Sequence, residues 1–149
     1  MVGRALAAAL AASSIFVHAV PAGALEIEVT SVRATESGPS DPELVTLRPR
    51  LRRLVGYRAF QVVGHEVRQC DWRSETRFTI PGGRHLQLLP KSYEDDVVKM
   101  EVRLLEGRRR LVDTNVRVMR GGTMMFGVGR MAQVGDDALI ILLRADTRQ

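Results

Sequence analysis

The chain reads as a mainly β, α+β protein: an antiparallel β-sandwich or open barrel of about eight strands, with one short helix on the N-terminal side. Three observations point there. After Gly56, apolar and polar residues alternate over most of the chain, the period of strands with one buried face. Glycine-bearing turns separate those runs at short intervals, which favours antiparallel neighbours. Before Gly56, Leu44, Leu47, Leu51 and Leu54 recur at spacings of three and four, the period of one helical stripe.

Residues 1–24 read as a cleavable secretory signal. Arg4 supplies the positive start, residues 5–17 are an uncharged and mostly apolar stretch, Pro21 breaks it, and Ala22-Gly23-Ala24 offers small residues for cleavage after Ala24. The apolar stretch is shorter than the roughly 20 residues a membrane span needs, and no later run supplies one. Residues 25–149 then form a single β-rich domain, exported to the periplasm or beyond the cell.

Leu25-Glu26-Ile27-Glu28-Val29 alternates as a half-buried strand. Residues 35–42 are rich in Ser, Gly and Pro and read as a loop. Asp41-Pro42-Glu43 has the order of a helix start: a capping carboxylate, a proline suited to the first position and an acid facing the dipole. Pro49 falls inside the leucine stripe, where it would remove a hydrogen bond. The spacing therefore predicts an irregular turn first, a helix starting near Pro49, and a stop at Gly56.

Strands follow at 59–67, 76–80, 84–89, 97–105, 111–118, 123–128 and 138–144. Pro81-Gly82-Gly83, Glu106-Gly107-Arg108 and Arg120-Gly121-Gly122 read as tight turns between them. Val98, Met100, Val102 and Leu104 alternate with Lys99, Glu101 and Arg103. Ala138-Leu139-Ile140-Ile141-Leu142-Leu143 has no polar interruption, so it predicts a central strand buried on both faces.

Composition narrows the chemistry. The 149 residues carry 22 basic and 17 acidic side chains, a net charge of +5. One cysteine excludes an internal disulfide framework and a cysteine-based zinc site. Cys70 is expected to be buried, with an intermolecular disulfide as the alternative. At 5% aromatic residues, the chain lacks the girdles of an outer-membrane barrel. His65 and His85 are the only imidazoles outside the leader, and both read as surface residues on strands rather than as a catalytic or metal pair. Glu94-Asp95-Asp96 and Asp136-Asp137 read as solvated turns without the spacing of a calcium loop. The glycines between 121 and 129 flank a strand and lack the helix start that phosphate cradles use. No catalytic residue, cofactor or metal is expected.

Arginines are the remaining signal, in Arg48-Pro49-Arg50-Leu51-Arg52-Arg53 and Arg108-Arg109-Arg110. Such clusters suit an envelope protein or an anionic glycan or lipid. Nucleic acid is not expected, because the chain is exported and aromatics do not interleave the arginines. Arg52, Arg53, Tyr57 and Arg109 are the candidate partner contacts.

Asp41-Pro42-Glu43-Leu44 is followed by Leu51, Leu54, Tyr57 and Phe60, then Ile80-Pro81-Gly82-Gly83-Arg84 with Leu86 and Pro90. The pattern continues through Val102, Leu104, Leu105, Asp113-Thr114 and Gly121-Gly122-Thr123. In this order the chain resembles small exported bacterial β-rich proteins of unknown function. The resemblance implies a fold and an envelope location, not an activity. Residues 114–126 are also similar to a hairpin of secretin channels, without the other secretin motifs. The expected function is a non-enzymatic binding or assembly module of the bacterial cell envelope. The alternatives are a secretin-associated subunit of a secretion system and a small periplasmic hydrolase or carbohydrate-active enzyme. The last requires His65 or His85 beside a carboxylate in a pocket.

Overall fold

A computed structural model describes residues 24–130 and 137–148. The leader reading therefore lies outside the described residues except for Ala24, and so does the Asp136 half of the Asp136-Asp137 turn. Among the described residues no helix is long and apolar enough to cross a membrane.

Eight strands appear among the described residues: β1 (Leu25–Thr35), β2 (Ala59–Cys70), β3 (Thr76–Ile80), β4 (Arg84–Glu94), β5 (Val97–Glu106), β6 (Arg109–Met119), β7 (Thr123–Arg130) and β8 (Ala138–Thr147). They make two four-stranded antiparallel sheets, in the order β2-β1-β8-β7 and β3-β4-β5-β6. A 3-10 turn (Pro42–Leu44) and helix α1 (Arg48–Val55) lie between β1 and β2. Of the two architectures expected, this is the sandwich: each sheet has two edge strands and neither closes on itself.

The main core fills the space between the sheets. Leu25, Ile27 and Val29 of β1 and Leu139, Ile141 and Leu143 of β8 meet Leu86 and Leu88 of β4 and Val98, Met100, Val102 and Leu104 of β5. The other side of the first sheet carries a second cluster. There Val32, Ala34, Phe60, Ile140 and Leu142 lie under Leu44 and Leu51. This accounts for the uninterrupted apolar run in β8. Its odd positions face the second sheet and its even positions face α1. β8 and β1 are the inner strands of their sheet, as that run predicted.

α1 begins at Arg48 and ends at Gly56, whose φ of 73° is the left-handed conformation that glycine adopts without strain. Pro49 sits in the first turn, where no hydrogen bond is lost.

Three expectations change. Asp41 does not cap a helix with its side chain. Its Oδ2 instead accepts the Val62 backbone N–H at 2.6 Å, pinning the turn to β2. Leu54 is 42% exposed rather than part of the buried stripe, because so short a helix buries little more than one turn, Leu51 fully and Val55 in part. Arg120-Gly121-Gly122 is a tight turn, with Gly122 N–H donating to Met119 O, but it does not join a hairpin. β6 and β7 belong to different sheets, and the segment crosses between them, with Arg120 N–H donating to Asp96 O and Gly121 N–H to Ala145 O. The secretin-like stretch at residues 114–126 is therefore an inter-sheet crossover here. Strands also run further than their apolar alternation. β4 passes through Pro90 to Glu94, with the register slipping between Pro90 and Ser92, the kind of irregularity in which a strand tolerates proline.

Candidate functional site

The 3-10 turn and α1 cover only one half of the outer side of the first sheet. On the covered half, outward positions are apolar: Val32, Ala34, Ile140 and Leu142. On the bare half, the same alternation brings out Glu26, Glu28 and Thr30 from β1 and Arg144 and Asp146 from β8. Where the two halves meet, a groove of about 490 Å³ opens between the turn and the strands. Glu43, Leu44 and Leu47 form its upper side, and Glu28, Thr30, Val62, His65, Leu142 and Arg144 its strand side, with Thr123 of β7 at the margin. The volume is within the roughly 300–1,000 Å³ of small-molecule sites.

A bulge in β2 decides one member of this lining. The β1–β2 pairing passes from Val32↔Val62 to Ser31↔Gly64, leaving Val63 as an extra residue. That extra residue reverses the alternation, so His65 joins Val62 and Phe60 on the helix side. Its Nε2 lies 2.8 Å from Glu28 Oε1, with both side chains partly open to solvent. The expected surface histidine is thus on the surface, yet paired with a carboxylate at the groove. His65 is hydrogen-bonded to no hydroxyl among the described residues, so the base–nucleophile contact that a hydrolytic triad uses is not formed. His85 lies on β4 of the other sheet, opposite Leu105. The imidazoles are not brought together.

The charges around the groove are unevenly engaged. Arg144 lies directly across from Glu28 in the β1–β8 register, but Glu28 is turned to His65. The side chains of Arg144 and Glu43 have no hydrogen bond or ion pair among the described residues, and both residues are exposed. By contrast, Glu26 receives Gln69 Nε2 at 2.8 Å and Arg148 Nη2 at 2.9 Å.

Next to the groove, α1 carries the first arginine cluster. Arg50 Nη2 donates to Thr123 O at 3.1 Å, tying the helix to edge strand β7. Arg52 and Arg53 are exposed and have no ion partner among the described residues. Arg50, Arg53, Leu54 and Met125 border an open depression of about 330 Å³. Residues 48–58 contain five arginines and no acid. Tyr57 is half-buried against the cluster beneath the helix. Arg109 is exposed at the β5–β6 hairpin, opposite Glu106 on the second sheet. The structure therefore groups Arg52 and Arg53 on one short helix, places Tyr57 under it and sets Arg109 on the other sheet.

The acidic turn at 94–96 is held by its own neighbours. Asp95 and Asp96 take left-handed φ values of 53° and 61°, Tyr93 donates to Asp96 at 2.7 Å and Lys99 pairs with Glu94 at 3.3 Å. Cys70 is buried and free, and burial pushes its thiol above the ordinary value, despite a hydrogen bond with Thr76 that acts the other way.

Glu43, Glu28, Thr30 and Arg144 were absent from the sequence-derived candidates. The alternation of β1 carried a usable signal for Glu28 and Thr30, which share a face. Nothing local marked the bulge at Val63 or the meeting of the 3-10 turn with β8.

No family profile matches the chain, and no curated protein matches it. Among solved structures, it is similar to the T2SS secretin XcpQ from Pseudomonas aeruginosa, at 8% identity and a TM-score of 0.45, over 87% of this chain and 60% of that one. The chain thus spans less than two thirds of the secretin's length.

Proposed function

We propose that this protein is a non-enzymatic binding module of a bacterial cell envelope that docks an anionic partner on α1. One observation carries the reading: five arginines within residues 48–58, no acid among them, with Arg52 and Arg53 exposed and without an ion partner among the described residues, beside exposed Leu54. Guanidinium groups pair with carboxylates and phosphates in a planar two-pronged geometry, and an apolar residue among them adds contact area. An exported destination rests on the leader-like residues 1–24, which fits a partner bearing lipid or glycan phosphates or acidic side chains. Among the described residues His65 bonds a carboxylate and no hydroxyl, which supports binding over hydrolysis.

The experiment is retention of the protein on vesicles containing an anionic phospholipid and on an immobilised acidic polysaccharide, each against its neutral counterpart. The reading expects retention on at least one anionic surface at low salt and release at high salt, because exposed charges are screened beyond about 10 Å at 0.1 M. It also expects the doubly substituted Arg52→Gln/Arg53→Gln protein to lose retention while keeping its melting temperature. Equal retention of that variant, or none of the wild type on either surface, overturns it.

A further inference from the structure

The groove between the 3-10 turn and the bare strands is lined by none of the arginines of residues 48–58. The geometry points to a site for a short zwitterionic peptide: a free C-terminal carboxylate on Arg144, a free ammonium on Glu43 and an apolar side chain against Val62 and Leu142.

Three features lead to this ligand class. First, Arg144 and Glu43 are opposite charges lining one groove, and neither is neutralised by a neighbour among the described residues. The neighbour best placed to quench Arg144 is Glu28, its register partner, and Glu28 is instead engaged by His65 at 2.8 Å. The His65–Glu28 pair therefore leaves the guanidinium open. Second, the same groove is lined by apolar side chains, Leu44 and Leu47 from the turn segment and Val62 and Leu142 from the strands. A ligand that satisfies this lining carries both charges and a hydrophobic side chain. Third, two carboxylates, Glu28 and Glu43, share the groove, which disfavours phosphates and other polyanions. Among the described residues no group of three or more metal-ligating side chains is present either, so a cation held by protein alone is the weaker occupant. A neutral sugar would leave both charges unused.

The test is an amide-resolved NMR titration with a leucine-containing dipeptide, Ala-Leu. It is compared with its C-terminal amide and its N-acetyl form, on wild type, Arg144→Gln and Glu43→Gln. Both substituted side chains are exposed, and an unchanged amide spectrum elsewhere verifies that each variant is folded. The expected result is a set of shifts at Thr30, Val62, Leu142 and Arg144. Affinity should fall about tenfold or more in Arg144→Gln, the scale of a lost charge-assisted contact. The C-terminal amide should bind weakly to wild type and be insensitive to Arg144→Gln. The N-acetyl form should behave likewise toward Glu43→Gln. Arg52→Gln/Arg53→Gln should bind the dipeptide as wild type does, which separates this site from the proposed anionic docking face. No shifts at millimolar dipeptide, shifts centred elsewhere, or equal binding of free and capped peptides overturns the assignment.

Discussion

Leu51 is fully buried at the centre of the contact between α1 and the first sheet. Leu51→Asp would place a carboxylate there without a partner, and unfolding in urea should show a loss of more than about 3 kcal/mol. Stability unchanged within error would mean that α1 does not pack as described. Asp41 has a different task, accepting the Val62 N–H across 21 positions of sequence. Asp41→Ala should cost about 1.5–3 kcal/mol by the same measurement, the range for a hydrogen bond to a charged acceptor. Were the carboxylate a mere loop residue, the cost would vanish. Cys70 gives a pH signature. Its raised thiol means that the folded protein holds the proton more tightly than the unfolded chain does. That contribution is complete below the ordinary value of 9.0 and is lost as pH rises through the folded value. The stability difference between wild type and Cys70→Ala should therefore shrink in alkaline solution, and native Cys70 should alkylate more slowly than in denaturant. Equal alkylation rates in the two states would contradict its burial.

At the scale of elements, β8 and β5 make a contrast that single substitutions can read. β8 is covered by the second sheet on one side and by α1 on the other, so Ile140→Ser and Ile141→Ser should both destabilise, each by about 2–4 kcal/mol. β5 is covered on one side only: Val102 is fully buried, whereas Arg103 is partly exposed and pairs with Glu101 and Asp113. Val102→Ser should destabilise comparably and Arg103→Ser less, since Arg103 keeps contact with solvent and its partly exposed ion pairs contribute only about 1 kcal/mol. Thermal melts of the four variants decide the matter; a tolerated Ile140→Ser would place the helix elsewhere. Legibility follows the same physics. The alternation of β5 and the unbroken run of β8 are local signals of one-sided and two-sided burial, and both were readable in sequence. So were the proline near the helix start and the glycine after its end. Leu54 misled because the stripe is not one helix: Leu44 and Leu47 precede α1 and pack on the sheet from the turn, whereas Leu54 lies within α1 and faces solvent. The 120–122 segment misled because a glycine turn looks alike whether its strands pair or part into separate sheets.

At the scale of the molecule, both proposed sites lie on the outer side of the first sheet, the inner side being committed to the core. The arginine cluster was legible as composition, and the helix then showed that Arg50 is tied to Thr123 while Arg52 and Arg53 are left exposed. The groove was not legible. It depends on a bulged valine that carries His65 to the helix side, and on Glu43 and Arg144 lining one groove from about a hundred positions apart in the chain. The measurement that bears most directly on the account is amide hydrogen exchange of the protein bound to an anionic surface at low salt, against the free protein. Slowed exchange across α1 and residues 48–58, with β3 to β6 unchanged, is the predicted result. A footprint on the β5–β6 hairpin around Arg109 instead, or protection nowhere in a bound protein, would contradict the account.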